Sequence, residues 1–285
     1  LYNPFRPLPM ASLMDSIDRS ASAARRVGLV STAVAAHPDF VGLVDSLLER
    51  RISVSFSSLR AEDIDEKRAA AISRAGTRSV SLAPESGSER IRFALGKNVP
   101  DDAYMHAGRL LAGAGVRNFT LYLLIGASAD ERKTIEDTRA FLERFKAAVG
   151  GRRVAVHLNP LIPKPWTPMQ YLAMPREDVL ERSMEGISAL CRELRLRIRR
   201  KSTRSALRQA LLSTGDRKVG RAITRMVTVG TSWKKALEME RVEVGFPHEA
   251  KGRETRFPWD AIEGPVSGEI LIDLYERIEE SGVIG

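Results

Sequence analysis

Leu82-Ala-Pro-Glu-Ser-Gly-Ser-Glu-Arg-Ile-Arg92 is the stretch on which the fold turns. A short strand, Ser79 to Ala83, meets Pro84, whose ring biases the preceding residue away from helix. Glu85 stands at the strand's end and Ser86-Gly87-Ser88 forms a turn. A helix carrying Ile91, Phe93 and Leu95 comes next, and Leu95-Gly96-Lys97 ends it with a cation. Delivering a carboxylate to a Gly/Ser turn that opens a helix is how α/β folds build ligand sites. The same spacing also describes an ordinary turn with a solvated Glu and Lys.

Working outward, strand and helix patterns alternate. Upstream, Gly28 to Thr32 reads as a buried strand ending in hydroxyls, and Ile52 to Ser57 as another. An N-terminal helix reaches about Arg26, with Leu13, Met14, Ile17 and Ala21 on one face. His37-Pro38-Asp39 opens a helix with Phe40, Leu43, Val44, Leu47 and Leu48 at i, i+3, i+4, i+7, i+8 spacing. A helix from Glu62 stops at Gly76. Downstream, Asp101 caps a helix with a Tyr104, Ala107, Leu111 and Ala114 stripe. Phe119 to Ile125 is almost continuously apolar, as for a parallel strand covered on both faces. Gly126 to Glu131 turns into a helix, Val154 to Leu158 is a strand, and Asn159 to Pro168 is a proline-rich loop. A long helix from Arg176 to Arg199 places Leu180, Met184, Ile187, Cys191, Leu194 and Ile198 inward.

Repeated right-handed βα units predict an α/β fold, an incomplete parallel barrel with its site at the strands' C-terminal ends. Ser31, Thr32, Ser57, Glu85, Gly126 and Asn159 gather there. Because the chain opens with loop and helix, a first strand is expected upstream. After Arg200 the periodicity weakens. A polar turn, Gly215 to Gly220, precedes a short helix with Ile223, Met226 and Val227, Lys251 to Asp260 is loop-like, and a final helix spans Gly268 to Glu280. The division predicted is a barrel over residues 1–200 and a smaller, mostly helical basic module over 201–285.

With 43% hydrophobic and 28% charged residues, the composition is that of a soluble globular protein. No apolar run approaches a membrane span. The single cysteine, Cys191, excludes an internal disulfide and a cysteine cluster held by this chain alone, and fits a reducing, cytoplasmic setting. Its helical apolar spacing makes it a core residue. The four histidines are scattered, so no histidine metal site is expected, and His157 on an apolar strand reads as a core residue. Trp166 is either a packing or lid residue or a stacking platform for a substrate. From Arg192 to Lys235, fourteen Lys or Arg stand against Glu193 and Asp216 alone, within a chain of net charge +9. That segment describes either a surface for RNA or another anionic partner or a solvated helix face.

Glu85 and Lys97, twelve residues apart, suit a zwitterionic ligand. A carboxylate accepts from its ammonium, and a lysine neutralises its carboxylate. Gly126 permits close backbone approach by a flat ring, and the Asn159-Pro160 turn offers backbone groups to its edge.

These residues resemble a known family. Leu82 to Arg92 with Lys97 looks like the fourth-strand segment of radical S-adenosylmethionine proteins, and most closely their methylthiotransferase-like branch, which includes cobalamin-associated and uncharacterised members. Leu121-Tyr-Leu-Leu-Ile-Gly126 is similar to its fifth-strand motif, Asn159 to Pro168 to its sixth-strand signature, and Gly215-Asp-Arg217 and Pro258-Trp-Asp260 to its tail. The resemblance implies an incomplete barrel binding S-adenosylmethionine and a four-iron four-sulfur cluster, with cobalamin a further candidate cofactor. The cluster cleaves the sulfonium to a 5′-deoxyadenosyl radical that abstracts hydrogen from a substrate, here unknown. It further implies that Glu85 and Lys97 hold the methionyl part, that Ser31, Thr32 and Ser57 line the pocket, and that Gly126 and Asn159 flank adenine. Two features depart from the pattern. The CxxxCxxC cluster loop is absent, and Tyr2-Asn-Pro-Phe-Arg6 resembles the segment immediately C-terminal to that loop, so the cluster ligands are expected just upstream. Ala127-Ser-Ala-Asp130 stands where the family has Pro-containing sequence and a Glu. The contrasting reading is a non-catalytic RNA- or anion-binding protein that uses the barrel as scaffold and residues 192–235 as surface.

Overall fold

Apolar alternation sets the strands and 3.6-residue periodicity the helices, and both patterns recur along the computed structural model. It describes residues 6–21 and 25–284. The reading of Tyr2, Asn3, Pro4 and Phe5 therefore lies outside the described residues, as do residues 22–24 at the expected end of the first helix. The elements in order are α1 (Met10–Ala21), β1 (Arg26–Leu29), α2 (Phe40–Glu49), β2 (Ser53–Phe56), α3 (Glu66–Arg74), β3 (Ser79–Glu85), α4 (Glu89–Ala94), α5 (Asp101–Gly113), β4 (Asn118–Ile125), α6 (Glu131–Ala148), β5 (Arg153–Pro160), α7 (Glu177–Glu193) and β6 (Arg197–Arg200). Then come α8 (Thr203–Thr214), α9 (Arg217–Val229), α10 (Trp233–Met239) and α11 (Gly268–Glu280).

All strand pairs are parallel, and spatial order matches chain order, as right-handed βα units dictate. β1 pairs with β2, and β3 to β6 form a four-stranded sheet. A bridge between Leu59 and Leu82 joins the two parts, with the Leu59 N–H donating to the Ser81 carbonyl at 2.8 Å. The result is an incomplete parallel barrel. No helix among the described residues is long and apolar enough to cross a membrane.

Helices cover one face of this sheet. Val80, Leu82, Phe119, Leu121, Leu123, Ile125, Val154, Val156 and Leu158 point into that layer and form one core with Leu111, Phe141, Phe145 and Leu180. A second cluster binds the C-terminal region to the barrel's loops, joining Ile91, Ala127 and Leu161 to Tyr171, Trp259, Leu271 and Tyr275.

The structure corrects several expectations. β4 is not covered on both faces: Thr120, Tyr122 and Leu124 alternate with the buried residues and are half-exposed on the other face. β1 is not buried, since Arg26 and Gly28 are exposed and it pairs only with β2 among the described residues. Arg26 belongs to this strand, opposite Ser53, rather than to the first helix. α3 begins at Glu66, not Glu62, because Asp65 caps it by accepting from the Arg68 N–H. Pro100 occupies the cap position of α5, which frees the Asp101 carboxylate for arginines. The long helix stops at Glu193. Arg195 takes a left-handed backbone (φ 55°), and Arg197 to Arg200 become an edge strand whose charges suit an exposed edge.

Candidate functional site

Glu85 ends β3 with φ +65°, a left-handed conformation that residues other than glycine adopt at a cost. Register against β4 shifts between Leu82 and Glu85, so the strand bulges as it presents this carboxylate. Arg92 on α4 fixes the turn between them. Its guanidinium is wholly buried, donating to the Ser86 carbonyl at 2.7 Å, to the Val99 carbonyl at 3.1 Å and to the Asp101 carboxylate. It also lies 5.3 Å from the centroids of the Tyr104 and Phe141 rings. Gly87 lets the turn rest on α6, where a Cβ would come within 2.6 Å of Thr138 Oγ1 and nearer still to the Thr138 backbone.

Gly96 (φ +77°) ends the helix and turns Lys97 back toward the strand. The Lys97 ammonium lies 3.1 Å from Glu85 Oε1 and donates to the Ala83 carbonyl, which also accepts from the Tyr104 hydroxyl at 3.3 Å. Burial pushes the Tyr104 phenol well above its ordinary value, so it remains a neutral donor. Glu85 and Lys97 are each about a quarter exposed, at 27% and 26%. Both line a cleft of about 1010 Å³ between the strand ends and α11. Its walls are mostly apolar, among them Leu95, Leu161, Met169 and Leu274. A carboxylate and an ammonium at the edge of such a cleft can exchange their mutual ion pair for contacts with an amino acid group.

The other sequence-predicted residues lie elsewhere. Ser57 Oγ donates to the Ser31 carbonyl at 2.9 Å and accepts from the Ser31 N–H at 3.3 Å, tying the ends of β1 and β2 together. Ser31 borders a separate cavity with Leu8 and His37, and Thr32 is exposed. Gly126 (φ +89°) faces the helix layer, where a Cβ would meet Leu180 Cδ2 at 2.9 Å. Asn159 is half-exposed on β5, paired in register with Leu124, which does line the cleft.

The open face of the sheet holds groups that sequence reasoning missed. His157 is half-exposed there instead of sitting in the core, its ring edge-on to Tyr122 with centroids 5.0 Å apart. Arg199 is its register partner on β6, and burial followed by the Arg199 charge lowers the His157 pKa. The signal was alternation: Tyr122 and His157 interrupt apolar runs at the same period-2 phase as Thr120, Leu124 and Asn159. Trp166 is a packing residue. Its backbone N–H donates to Gln170 Oε1 at 2.9 Å, and Gly264 sits so close to its indole that any Cβ there would collide.

Cys191 is buried on α7, and burial pushes its thiol up to about 11. Among the described residues no three His, Cys, Asp or Glu side chains converge on a metal position. Several cations of the basic segment are held in ion pairs. Arg192 and Arg200 pair with Glu185, and Arg221 and Arg225 pair with Glu240.

No family model matches the chain. An uncharacterised protein of Methanocaldococcus jannaschii is 25% identical over 191 residues, which are 67% of this chain and 41% of that protein. The chain thus spans less than half the length of this curated relative. Among solved structures, coproporphyrinogen III oxidase from Escherichia coli, a radical S-adenosylmethionine enzyme, superposes with a TM-score of 0.50 at 10% identity. The match covers 65% of this chain and 46% of the oxidase. The methyltransferase TsrM from Kitasatospora setae, solved with cobalamin and a four-iron four-sulfur cluster, gives a TM-score of 0.46 at 15% identity, over 59% of this chain and 36% of that one. That score is too low to establish a shared fold. What the oxidase shares with this chain is its architecture, an incomplete parallel barrel.

Proposed function

We propose that this chain is the S-adenosylmethionine-binding barrel of a radical S-adenosylmethionine enzyme, and that Glu85 and Lys97 grip the amino acid end of that molecule. The observation that carries the reading is the Glu85–Lys97 pair, 3.1 Å apart on the wall of the cleft. A bulged strand end and a wholly buried arginine hold Glu85 in an uncommon backbone conformation. Such strain persists where the surroundings over-determine it, and it clusters at ligand sites. Glu85 would accept from the ammonium and Lys97 would donate to the carboxylate, both charge-assisted contacts.

Cleavage of the bound S-adenosylmethionine to methionine and a 5′-deoxyadenosyl radical, for hydrogen abstraction or group transfer, would need one electron that this chain's own residues do not supply. This chain's residues do not fit an iron–sulfur cluster. Its one thiol is buried and held protonated, whereas such clusters are ligated by several thiolates. Under this reading the cluster is held by thiolates that these residues do not include.

Calorimetric titration with S-adenosylmethionine tests the proposal. Lys97→Ala should remove a contact worth about 1.5–3 kcal/mol and weaken binding roughly ten- to a hundredfold. Binding by Lys97→Ala equal to that of the unmodified chain would refute it.

A further inference from the structure

The same cleft carries cations that the amino acid group would not use. Its lining includes Lys97, Lys164 and Arg277 against one acid, Glu85. Lys97 is matched by Glu85. Lys164 is not matched: its ammonium donates to the Ser213 hydroxyl at 2.9 Å and has no carboxylate partner among the described residues. A second cation, Lys201, acts on it from nearby, and its own ammonium donates to the amide oxygen of Gln209 at 2.6 Å with no carboxylate partner among the described residues. Burial and this like charge lower the Lys164 pKa. Arg277 reaches the cleft from α11 and likewise has no ion pair among the described residues. The neighbouring acids Asp273 and Glu276 are both taken by Arg253.

A partly buried ammonium beside another cation is poorly compensated unless an anion joins it. The remaining lining is dominated by Leu95, Leu161, Ile162, Met169, Leu274 and Ile278. A volume of about 1010 Å³ stands at the top of the range for small-molecule pockets, leaving room beyond one amino acid group. We infer that this cleft binds an amphipathic anion, a small molecule with a large apolar body and a carboxylate or phosphate head that Lys164 and Arg277 neutralise. The inference rests on the S-adenosylmethionine reading of the cleft only in treating this molecule as the substrate.

The test is calorimetric titration of the chain with decanoate, decyl phosphate and decanol, which share an apolar tail and differ in charge. At least one anion should bind tenfold or more tightly than decanol, and the better of the two identifies the head group. Lys164→Met should weaken anion binding about tenfold, the worth of one charge-assisted contact. Decanol and S-adenosylmethionine affinities should stay unchanged, because Lys97 and Glu85 are intact. Lys164→Gln, which can still donate to Ser213, serves as the second variant should Lys164→Met fold poorly. Decanol binding as tightly as the anions, or an anion preference that survives in the Lys164→Gln, Arg277→Gln double variant, overturns the inference. Anion preference without S-adenosylmethionine binding supports the anion site and overturns the assignment of Glu85 and Lys97.

Discussion

Replacing Arg92 with Met removes the group that fixes the Glu85 turn while keeping a long, flexible apolar side chain. The wholly buried guanidinium serves the Ser86 carbonyl, the Val99 carbonyl and the Asp101 carboxylate. Two carbonyls would lose these donors, and a buried group left unpaired costs about 1–3 kcal/mol. Breaking a buried ion pair from one side costs about 3–5 kcal/mol. Asp101 keeps Arg144 at 3.0 Å and is partly exposed, so its share falls at the low end. Methionine recovers part of the packing against Tyr104 and Phe141; because the lost contacts share one side chain they do not add, and the net loss expected is that of a buried pair broken from one side, about 3–5 kcal/mol. At ~2–4 °C per kcal/mol for a chain of this size class, the thermal midpoint should fall by roughly 6–20 °C. Arg92→Lys keeps the charge but not the fork, and should fall between the two. The assay is thermal unfolding monitored by circular dichroism, with S-adenosylmethionine titration on the folded variant. A midpoint within about 2 °C of the unmodified protein, which is under 1 kcal/mol, would show that Arg92 does not hold this turn.

Gly87→Ala should destabilise by about 1–3 kcal/mol through overpacking, since its Cβ would press on the Thr138 side chain and backbone; an unchanged denaturant midpoint would show that the turn is free to move off α6. Lys251 is buried, donates to the Phe246 and Glu249 carbonyls, and is pushed down to about 8 by burial, against the opposing pull of Glu249. In the unfolded chain it titrates at about 10.4, so between these values the unfolded state holds a proton that the folded state lacks and stability rises with pH. Denaturation at pH 7.5 and 9.5 should reveal that rise in the unmodified chain and a smaller one in Lys251→Met; equal slopes would contradict the assignment.

The βα units and the Glu85 turn were legible because they are local. Pro84, Gly87 and Gly96 punctuate the stretch, and the apolar periods on either side leave little choice. β6 was hidden because Leu194 and Ile198 continue the apolar spacing of α7. The reversal at Arg195 has no local marker, and only pairing with β5 reveals the strand. α8 was obscured because its buried face is built largely from small residues, Ala206 and Ala210, between arginines. Arg92 looks like a surface residue of a short helix. Its burial depends on Val99, Asp101, Tyr104 and Phe141, which reach it from later parts of the chain. Tyr122 and His157 belong to an open face that exists only once the strands curve beside one another, so in isolation they read as blemishes in core strands.

The central claim is that Glu85 and Lys97 bind the two charged groups of one amino acid moiety, and altering the ligand tests it most directly. Decarboxylated S-adenosylmethionine retains the ammonium and lacks the group assigned to Lys97. Titrated into the unmodified chain, it should bind roughly ten- to a hundredfold more weakly than S-adenosylmethionine, the worth of a charge-assisted contact of about 1.5–3 kcal/mol. Lys97→Ala should bind the two ligands about equally. A preference for the carboxylate of the same size in Lys97→Ala would place that group against some other residue and contradict the account.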